Sequence, residues 1–474
     1  MWFTFCLFST RKQTQFLGVG SNNHLNETTM TTDDINGQKN EYQFTVEEQK
    51  EIDRFCVKFG CDVKSVDKDG LTLLHKAAGE WNVAVVKYLV SEGAVVSAKD
   101  KHGSTPLHLA ANSNENVDVT KFLVSIGADV RTKNKYDCSA IHLAAYDNRN
   151  VDVLKFLVSQ GLNVCAKDNI FDILLQAAAN NENVDIARFL VSEGANVNAK
   201  SNIGMTPLHT AACKNIEVVK FLVSKGADVH AKDIHGETPL CFAASCSRDV
   251  EVFKFLVSHG AKLHIKDKAG ETPLHSAAGW NKNIEIVDYF ISNGIDVNTK
   301  DKDGNTPLHE AANWNKNVEI VKYLVSKGAN VNAKGKNGNT PLHKAAAPIE
   351  NSKESFEAVK FLVSQGAKIN EKNKYGFTPF HHAACSHNVN NVVVVKFLIS
   401  EGANVNAKSN IGMTPLHSAA RNWNVEIVKI LVSKGANVNA RTKWGWFGLF
   451  GKTPLDLAKE AGDTATVEYL SDIH

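Results

Sequence analysis

The sequence predicts an all-α solenoid of paired antiparallel helices with projecting β-hairpin loops, and three observations predict it. A Thr-Pro-Leu-His slot recurs with its first position at 72, 105, 139, 172, 206, 238, 272, 306, 340, 378, 414 and 453. The intervals are 33, 34, 33, 34, 32, 34, 34, 34, 38, 36 and 39 residues, and a period of that size overrides the several-domain prior set by a length of 474 residues. Between slots, a short Ala-rich stretch and a longer apolar stretch each follow helical spacing, and a glycine closes the second.

In chain order, residues 1–44 carry no helical or strand period and are rich in Asn, Thr, Gln and Gly from Asn22 to Asn40. They read as a disordered tail. The apolar start, Met1 to Phe8, has no basic residue ahead of it and no small-residue cleavage site behind it, which argues against a signal peptide. Asn26-Glu27-Thr28 is a glycosylation sequon that matters only on a secreted chain. Order is expected to begin at Thr45-Val46-Glu47-Glu48, a capping-box pattern. The helix it opens should bury Ile52, Phe55, Cys56 and Phe59 and stop at Gly60. That is the second half of a repeat, so residues 45–70 are expected to cap the stack, as terminal units must.

Residues 71–440 hold the stacked repeats, and the unit at Thr306 shows their physics. Thr306 is the N-cap, and Pro307 sits at the first helical position, where a missing N–H costs nothing. His309 can return a hydrogen bond toward the cap, as Glu does in a capping box. Ala311 and Ala312 keep the inner helix thin. The outer helix places Val318, Ile320, Val321, Leu324 and Val325 on its buried side, and Gly328 ends it. Gly338 supplies the tight turn of the hairpin tip. One unit cannot bury such a stripe alone, and twelve layers at about 8–10 Å would make a curved rod of roughly 100 Å.

Three places depart from the pattern. The units at Ser139 and Asp172 lose the proline, and Asp137 and Ile170 replace the turn glycine, which points to a softer joint. The unit at Thr340 carries a polar insertion from Pro348 to Ser355. Residues 441–474 form an aromatic insert, centred on Trp444 to Phe450, and a closing cap in which Asp456 takes the histidine slot. Residues 192–209 and 400–417 are identical, which reads as duplication of scaffold rather than as two matched sites.

A period near 33 with this tetrapeptide is the mark by which the chain resembles ankyrin-repeat proteins, over roughly residues 45–474. The resemblance implies a non-catalytic binding scaffold that uses hairpin tips and inner helices of adjacent repeats to recognise a protein.

Composition excludes other classes. The chain is 43% hydrophobic and 22% charged with a formal charge of +2, and no block of like charge implies nucleic acid. No apolar run is long enough to span a bilayer. Nine cysteines in an irregular pattern read as reduced thiols of a cytoplasmic protein. The histidines at 75, 108, 142, 209, 275, 309, 343, 381 and 417 lie a whole layer apart, too far for one metal ion. Cys241, Cys246, His259 and His264 satisfy a zinc-finger spacing, but the repeat phase puts the cysteines on a helix and His264 toward a hairpin. Gly451-Lys452-Thr453 lacks the glycine a phosphate loop needs five residues earlier. No cofactor, metal or catalytic residue is therefore expected.

The candidate binding residues are those the repeat does not require. Lys87, Lys121, Lys155, Arg188, Lys220, Lys254, Lys322, Lys360, Lys396 and Lys429 form a basic column on the outer helices, but acids three residues earlier compensate most of it. The tips are less balanced: Lys334, Lys336, Asn337, Lys372, Lys374 and Tyr375 lie in adjacent units with Glu371 as the near acid. They are either solvated or a contact for an acidic segment. Trp280 and Trp314 fall eight residues after their threonine, and Trp81 and Trp423 nine. Each is either an exposed anchor or a cover for the loop of its own unit. Asn305, beside its slot, completes the set. The expectation is a monomer that binds a protein, from Trp280 through Trp314 to Tyr375, without nucleic acid or a membrane span. The alternative is a secreted effector that contacts membranes through its aromatic ends.

Overall fold

The computed structural model describes residues 30–33, 39–160, 170–181, 183–314, 317–347, 353–385, 391–443 and 451–473. Four expectations lie outside them: the leader, the sequon, most of the polar insertion and the aromatic insert at 444–450. The chain divides into two compact units, one of residues 1–201 with 217–227, the other of residues 202–216 with 228–474.

In the first unit, helix Val46–Phe59 opens on the expected capping box, with Thr45 and Glu48 each serving the other's backbone. Ile52 and Phe55 are buried. Inner–outer pairs follow: Leu73–Glu80 with Val83–Ser91, Pro106–Ser113 with Val117–Ser125, Ala140–Tyr146 with Val151–Ser159, and Ile170–Ala178 with Val184–Ser192. In the second unit the series runs from Pro239–Cys246 with Val250–Ser258 through Pro273–Trp280 with Ile284–Ser292 and Pro307–Trp314 with Val318–Ser326, and closes on Pro454–Ala461 with Thr464–Ser471. The repeats are all helical. Their cores are the thin alanines inside and one apolar stripe outside. In the unit at Thr306, Leu308, Ile320, Val321 and Leu324 are fully buried, while Val318 and Val325 are only half-buried, so the stripe is narrower than the spacing suggests.

The histidine does more than cap. In the unit at Thr306, His309 Nδ1 accepts from Thr306 N–H at 3.0 Å. That nitrogen therefore carries no proton. The proton sits on Nε2, which donates to Asn339 O of the next repeat at 3.0 Å. The same bridge runs from His75 to Ser104, from His275 to Asn305, from His343 to Phe377 and from His417 to Lys452. Each histidine thus satisfies its own helix and ties one layer to the next.

Asparagines tie the layers elsewhere, and sequence reasoning missed them. Asn114 is buried and donates to Ala78 O and Trp81 O, the open carbonyls ending the preceding inner helix. Asn148, Asn181 and Asn281 repeat the arrangement. In the duplicated segments, Asn198 and Asn406 donate to Gly226 O and Gly435 O, both at 2.9 Å. The shared sequence is bonded alike in its two copies at these positions.

Several local expectations need correction. Helix Ile170–Ala178 starts before position 172, because without a capping Thr-Pro nothing there marks a first turn. Asp137 adopts the glycine's conformation, at φ 61, an uncommon state for a residue with a side chain. Cys213 and Cys246 are disulfide-bonded, against the expectation of reduced thiols. The period is the reason, since equivalent ends of neighbouring inner helices bring their Cα atoms to 5.2 Å. Apart from an isolated bridge between Val66 and Thr72, the described tips are turns rather than strand pairs; most are joined to a neighbour by a backbone bond such as Lys302 N–H to Ala269 O at 2.9 Å. Regular strands occur instead at Met30–Asp33 and Lys39–Tyr42, which pair antiparallel inside the stretch read as a tail. Tyr42 at its end meets Phe122 edge-on at 6.0 Å, an anchor whose partner lies 80 residues away in sequence and so leaves no local period.

Candidate interaction surface

The C-terminal ends of two adjacent inner helices, Pro273–Trp280 and Pro307–Trp314, carry tryptophans on their last residues. The rings stack at 5.0 Å between centroids and 25° between planes. Trp280 is still 56% exposed and Trp314 40%. Stacking therefore settles the rings against each other and leaves much of both open, an arrangement between the two sequence alternatives. Trp81 is different: it meets Phe55 edge-on at 5.3 Å and Phe59 at 6.4 Å, and covers the first layer. Trp423 is 61% exposed in a left-handed conformation, at φ 59. It lines a groove of about 780 Å³ with Ile411, Met413 and Leu457.

The tip lysines are less free than their spacing suggests. Lys334 pairs with Glu371 at 2.7 Å and Lys336 with Asp303 at 2.8 Å. Lys334 holds the Glu371 carboxyl below its usual range. Lys372 Nζ donates to Lys408 O at 2.9 Å, and Lys374 lies over the Tyr375 ring at 5.1 Å. Tyr375 is 48% exposed and its hydroxyl donates to Asn337 at 3.4 Å. Asn337 holds φ 59 in the turn Lys336–Gly338. The outer-helix column is compensated as expected, with pairs from Lys155–Asp152 at 3.2 Å to Lys322–Glu319 at 2.7 Å.

Asn305 leaves the candidate set. It is 7% exposed; its amide donates to Asp301 and its carbonyl accepts from Lys336 N–H at 3.1 Å. The cause is local. In most tips an Asp or Asn side chain caps its own turn, as Asp301 does for Asn305 N–H. Gly335 occupies that slot in the next tip, and the Asn305 side chain fills the space, so that a Cβ on Gly335 would overlap Asn305 Oδ1.

Carboxylates in and just before these inner helices went unnoticed in the sequence. Glu237 and Glu271 directly precede their threonines, and Glu310 lies one turn before Trp314. Burial and then the charges of Glu310, Asp267, Asp301 and Glu237 push Glu271 up to about 7. Burial also raises Glu310, against the opposing effects of Lys344 and a hydrogen bond with Trp314. The signal that would have found them is columnar: reading the residue before each threonine down the repeats shows two successive glutamates.

The residues of the motif-like patterns serve the scaffold. Cys241 stands in the histidine slot, where Thr238 Oγ1 donates to its Sγ at 3.4 Å. Cys246 is bonded to Cys213, and His259 ends its outer helix. Thr453 caps a helix whose Asp456 replaces the histidine in the capping box. No helix among the described residues is long and apolar enough to cross a membrane.

A family profile described as ankyrin repeats matches residues 46–134, 103–168, 141–233, 232–301, 280–373, 349–442 and 394–474. Among curated relatives, ankyrin repeat protein L271 of Acanthamoeba polyphaga mimivirus is 35% identical over 68 residues, 14% of this chain and 9% of that protein. The RelA-associated inhibitor of Mus musculus is 39% identical over 54 residues, 11% of this chain and 7% of its own. The potassium channel AKT1 of Arabidopsis thaliana is 44% identical over 54 residues, 11% and 6% respectively. The chain thus spans less than a tenth of the length of each of these relatives.

Proposed function

The chain belongs to the ankyrin-repeat proteins, whose repeats are a protein–protein interaction module, and from that premise we propose that it is a non-catalytic scaffold docking a protein partner from Trp280 through Trp314 to Tyr375. The observation that carries the reading is the stacked, exposed Trp280–Trp314 pair. Large aromatics cost apolar surface when left in water, and they supply most of the energy when a partner covers them. The proposed footprint also takes in Lys336, Lys374 and Tyr375 on the tips of neighbouring units. The relative from mouse bears the name of a protein that associates with another protein, which fits the same use of the fold.

The test replaces Trp280, Trp314, Lys334 and Tyr375 together by alanine. Affinity capture from the source cell, read by mass spectrometry, identifies proteins retained by the parent chain. The quadruple variant, with helical circular dichroism unchanged, is expected to lose them. A folded variant that still retains the same proteins would place the docking surface elsewhere.

A further inference from the structure

We propose that Cys213 and Cys246 form a reversible thiol–disulfide site, closed by glutathione disulfide and opened by glutathione, that sets how firmly the units at Thr206 and Thr238 are held together. The bridge joins the ends of two adjacent inner helices, Pro207–Ala211 and Pro239–Cys246. Elsewhere an asparagine makes this tie. Asn114, Asn148, Asn181 and Asn281 each stand nine residues after the first position of their slot, and each donates to two carbonyls of the preceding unit. In the unit at Thr238 that place is taken by Ser247, whose bonds stay within its own unit. Its hydroxyl donates to Asp249 O at 3.4 Å and accepts from Asp249 N–H at 3.3 Å. The preceding unit explains the exchange. Its outer helix Ile216–Ser224 starts ten residues after Thr206, whereas the outer helices of the asparagine-bearing units start twelve after their slot. The shorter connection folds into a tight turn in which Lys214 N–H and Asn215 N–H both donate to Ala211 O at 3.0 Å. The helix end is reshaped where an asparagine would seek its acceptors, and a covalent bond stands in for the missing hydrogen bonds.

Two features make the bridge reversible. Cys246 is exposed and Cys213 half-buried, so a small thiol can reach the bond, and accessible disulfides are the ones that exchange. The junction also keeps a second tie, because His209 Nε2 donates to Glu237 O at 3.2 Å. Reduction therefore loosens the contact without parting the layers. In closing, the Cys246 thiolate attacks one sulfur of glutathione disulfide and expels a glutathione thiolate. The Cys213 thiolate then attacks the Cys246 sulfur of the mixed disulfide and expels the second. The two protein thiols give up two protons and two electrons, and glutathione disulfide becomes two glutathione thiols. Excess glutathione runs the same steps backward. Cys241, on the same helix as Cys246, is buried and does not compete. The site lies in the same column as the exposed indoles: Cys246 holds the place in its unit that Trp280 holds in the next. Asn281, beside Trp280, donates to Ala244 O and Ser247 O at 3.0 and 2.7 Å, on either side of Cys246. The thiol chemistry itself does not depend on the docking surface.

The test equilibrates the full-length chain with glutathione or with excess glutathione disulfide, then alkylates and digests it for mass spectrometry. Peptides holding Cys213 and Cys246 are expected to be linked in the oxidising buffer and to separate when the sample is returned to glutathione. In Cys213→Ser, Cys246 should keep a glutathione adduct, because no second thiol resolves it. Hydrogen-exchange protection of Ala212 and Ser247, whose amides donate to Leu208 O and Ala243 O, should fall at least about tenfold on reduction. Protection over residues 105–126 should not change. Cys213→Ser/Cys246→Ser should match the reduced chain in both buffers; if that variant does not fold, the reduced parent chain supplies the same comparison. Absence of the linked peptide in the oxidising buffer would overturn the site. A link that glutathione does not reverse would overturn the switch and leave a permanent cross-link. Protection unchanged by reduction would overturn it as well, since packing and His209 would then hold the junction alone.

Discussion

Trp81 and the pair Trp280–Trp314 occupy nearly the same place in their repeats and meet opposite fates. Trp81 turns its edge to Phe55 and Phe59 and becomes part of the first layer. Trp280 and Trp314 stack on each other and stay exposed. The difference lies in what precedes each inner helix. Among the described residues no inner helix stands before Leu73–Glu80, only the half-repeat Val46–Phe59, so a space opens that an indole fills. Helix Pro239–Cys246 stands before Pro273–Trp280, and the corresponding space is occupied. Position in the repeat therefore does not decide whether a tryptophan is core or surface. The neighbouring layer does.

Acid should separate the two regions most strongly. Burial depresses His309 to about 4 and His343 to about 3, each still bridging to a carbonyl of the next layer; His75, near Trp81, is lowered as well. A base whose folded pKa lies below its unfolded value near 6.5 takes up protons on unfolding. Its stabilisation is present above that value and is lost as pH falls through the window down to about 4. For His309 alone the loss approaches about 3 kcal/mol, at about 1.4 kcal/mol per pKa unit. Hydrogen-exchange protection, corrected for the intrinsic rate at each pH, is expected to fall by more between pH 6.5 and 4 in residues 306–347, and in the unit of His381 and His382, both also depressed to about 4, than near His75. Uniform protection throughout that range would mean that the histidines stay paired when protonated.

Tryptophan removal tests the same contrast directly. Trp81→Ala strips two aromatic contacts from the first layer and should cost about 2–3 kcal/mol, below the range of a fully buried aromatic because Trp81 is half-buried. Trp280→Ala loses one stacking contact at an exposed site and should cost about 1 kcal/mol or less. Local unfolding free energies from exchange or proteolysis give the comparison. Equal costs would show that both are core, and would leave the binding surface without its anchors. Gly335→Ala is the next effect in size. Its Cβ would overlap Asn305 Oδ1 and lie 3.1 Å from Asn305 Cα, for a cost of about 2 kcal/mol through forced displacement. An Asn305→Ala background should reduce that cost, because it removes the Oδ1 overlap and leaves the lesser crowding by His309 Nε2 and the residue 305 Cα.

The fold was legible because its signals are local and repeat: the capping Thr, the Pro at the first position, the paired alanines and the glycine turns. What stayed hidden depends on the next layer. The second bond of each histidine, the buried Asn114 column and the Cys213–Cys246 bridge all join residues about one period apart. Asn305 looked free because its slot varies, yet a glycine 30 residues on explains it. The strand pair at Met30–Tyr42 left no trace in hydrophobic spacing. At the surface, the tryptophans were visible as residues, but not which of them face water. The lysines of the tips drew the eye, and their acidic partners lie in neighbouring tips.

Cys241 offers the finest test of that layer-to-layer rule. It is buried in the histidine slot and bonds only within its own unit, to Thr238, in the layer just before Trp280. By the pattern of its neighbours, a histidine there would accept from Thr238 N–H through Nδ1 and donate through Nε2 to the carbonyl of Glu271. Cys241→His is therefore expected to stabilise that junction by about 1 kcal/mol, the net worth of one buried hydrogen bond. The gain should be present above pH 6.5 and disappear as pH falls below it, as for the native histidines. Exchange protection at Glu271 and Thr272 reads the effect at the carbonyl concerned. A loss of stability at neutral pH would show that this layer is spaced for the smaller cysteine, and that packing there outweighs the added hydrogen bond.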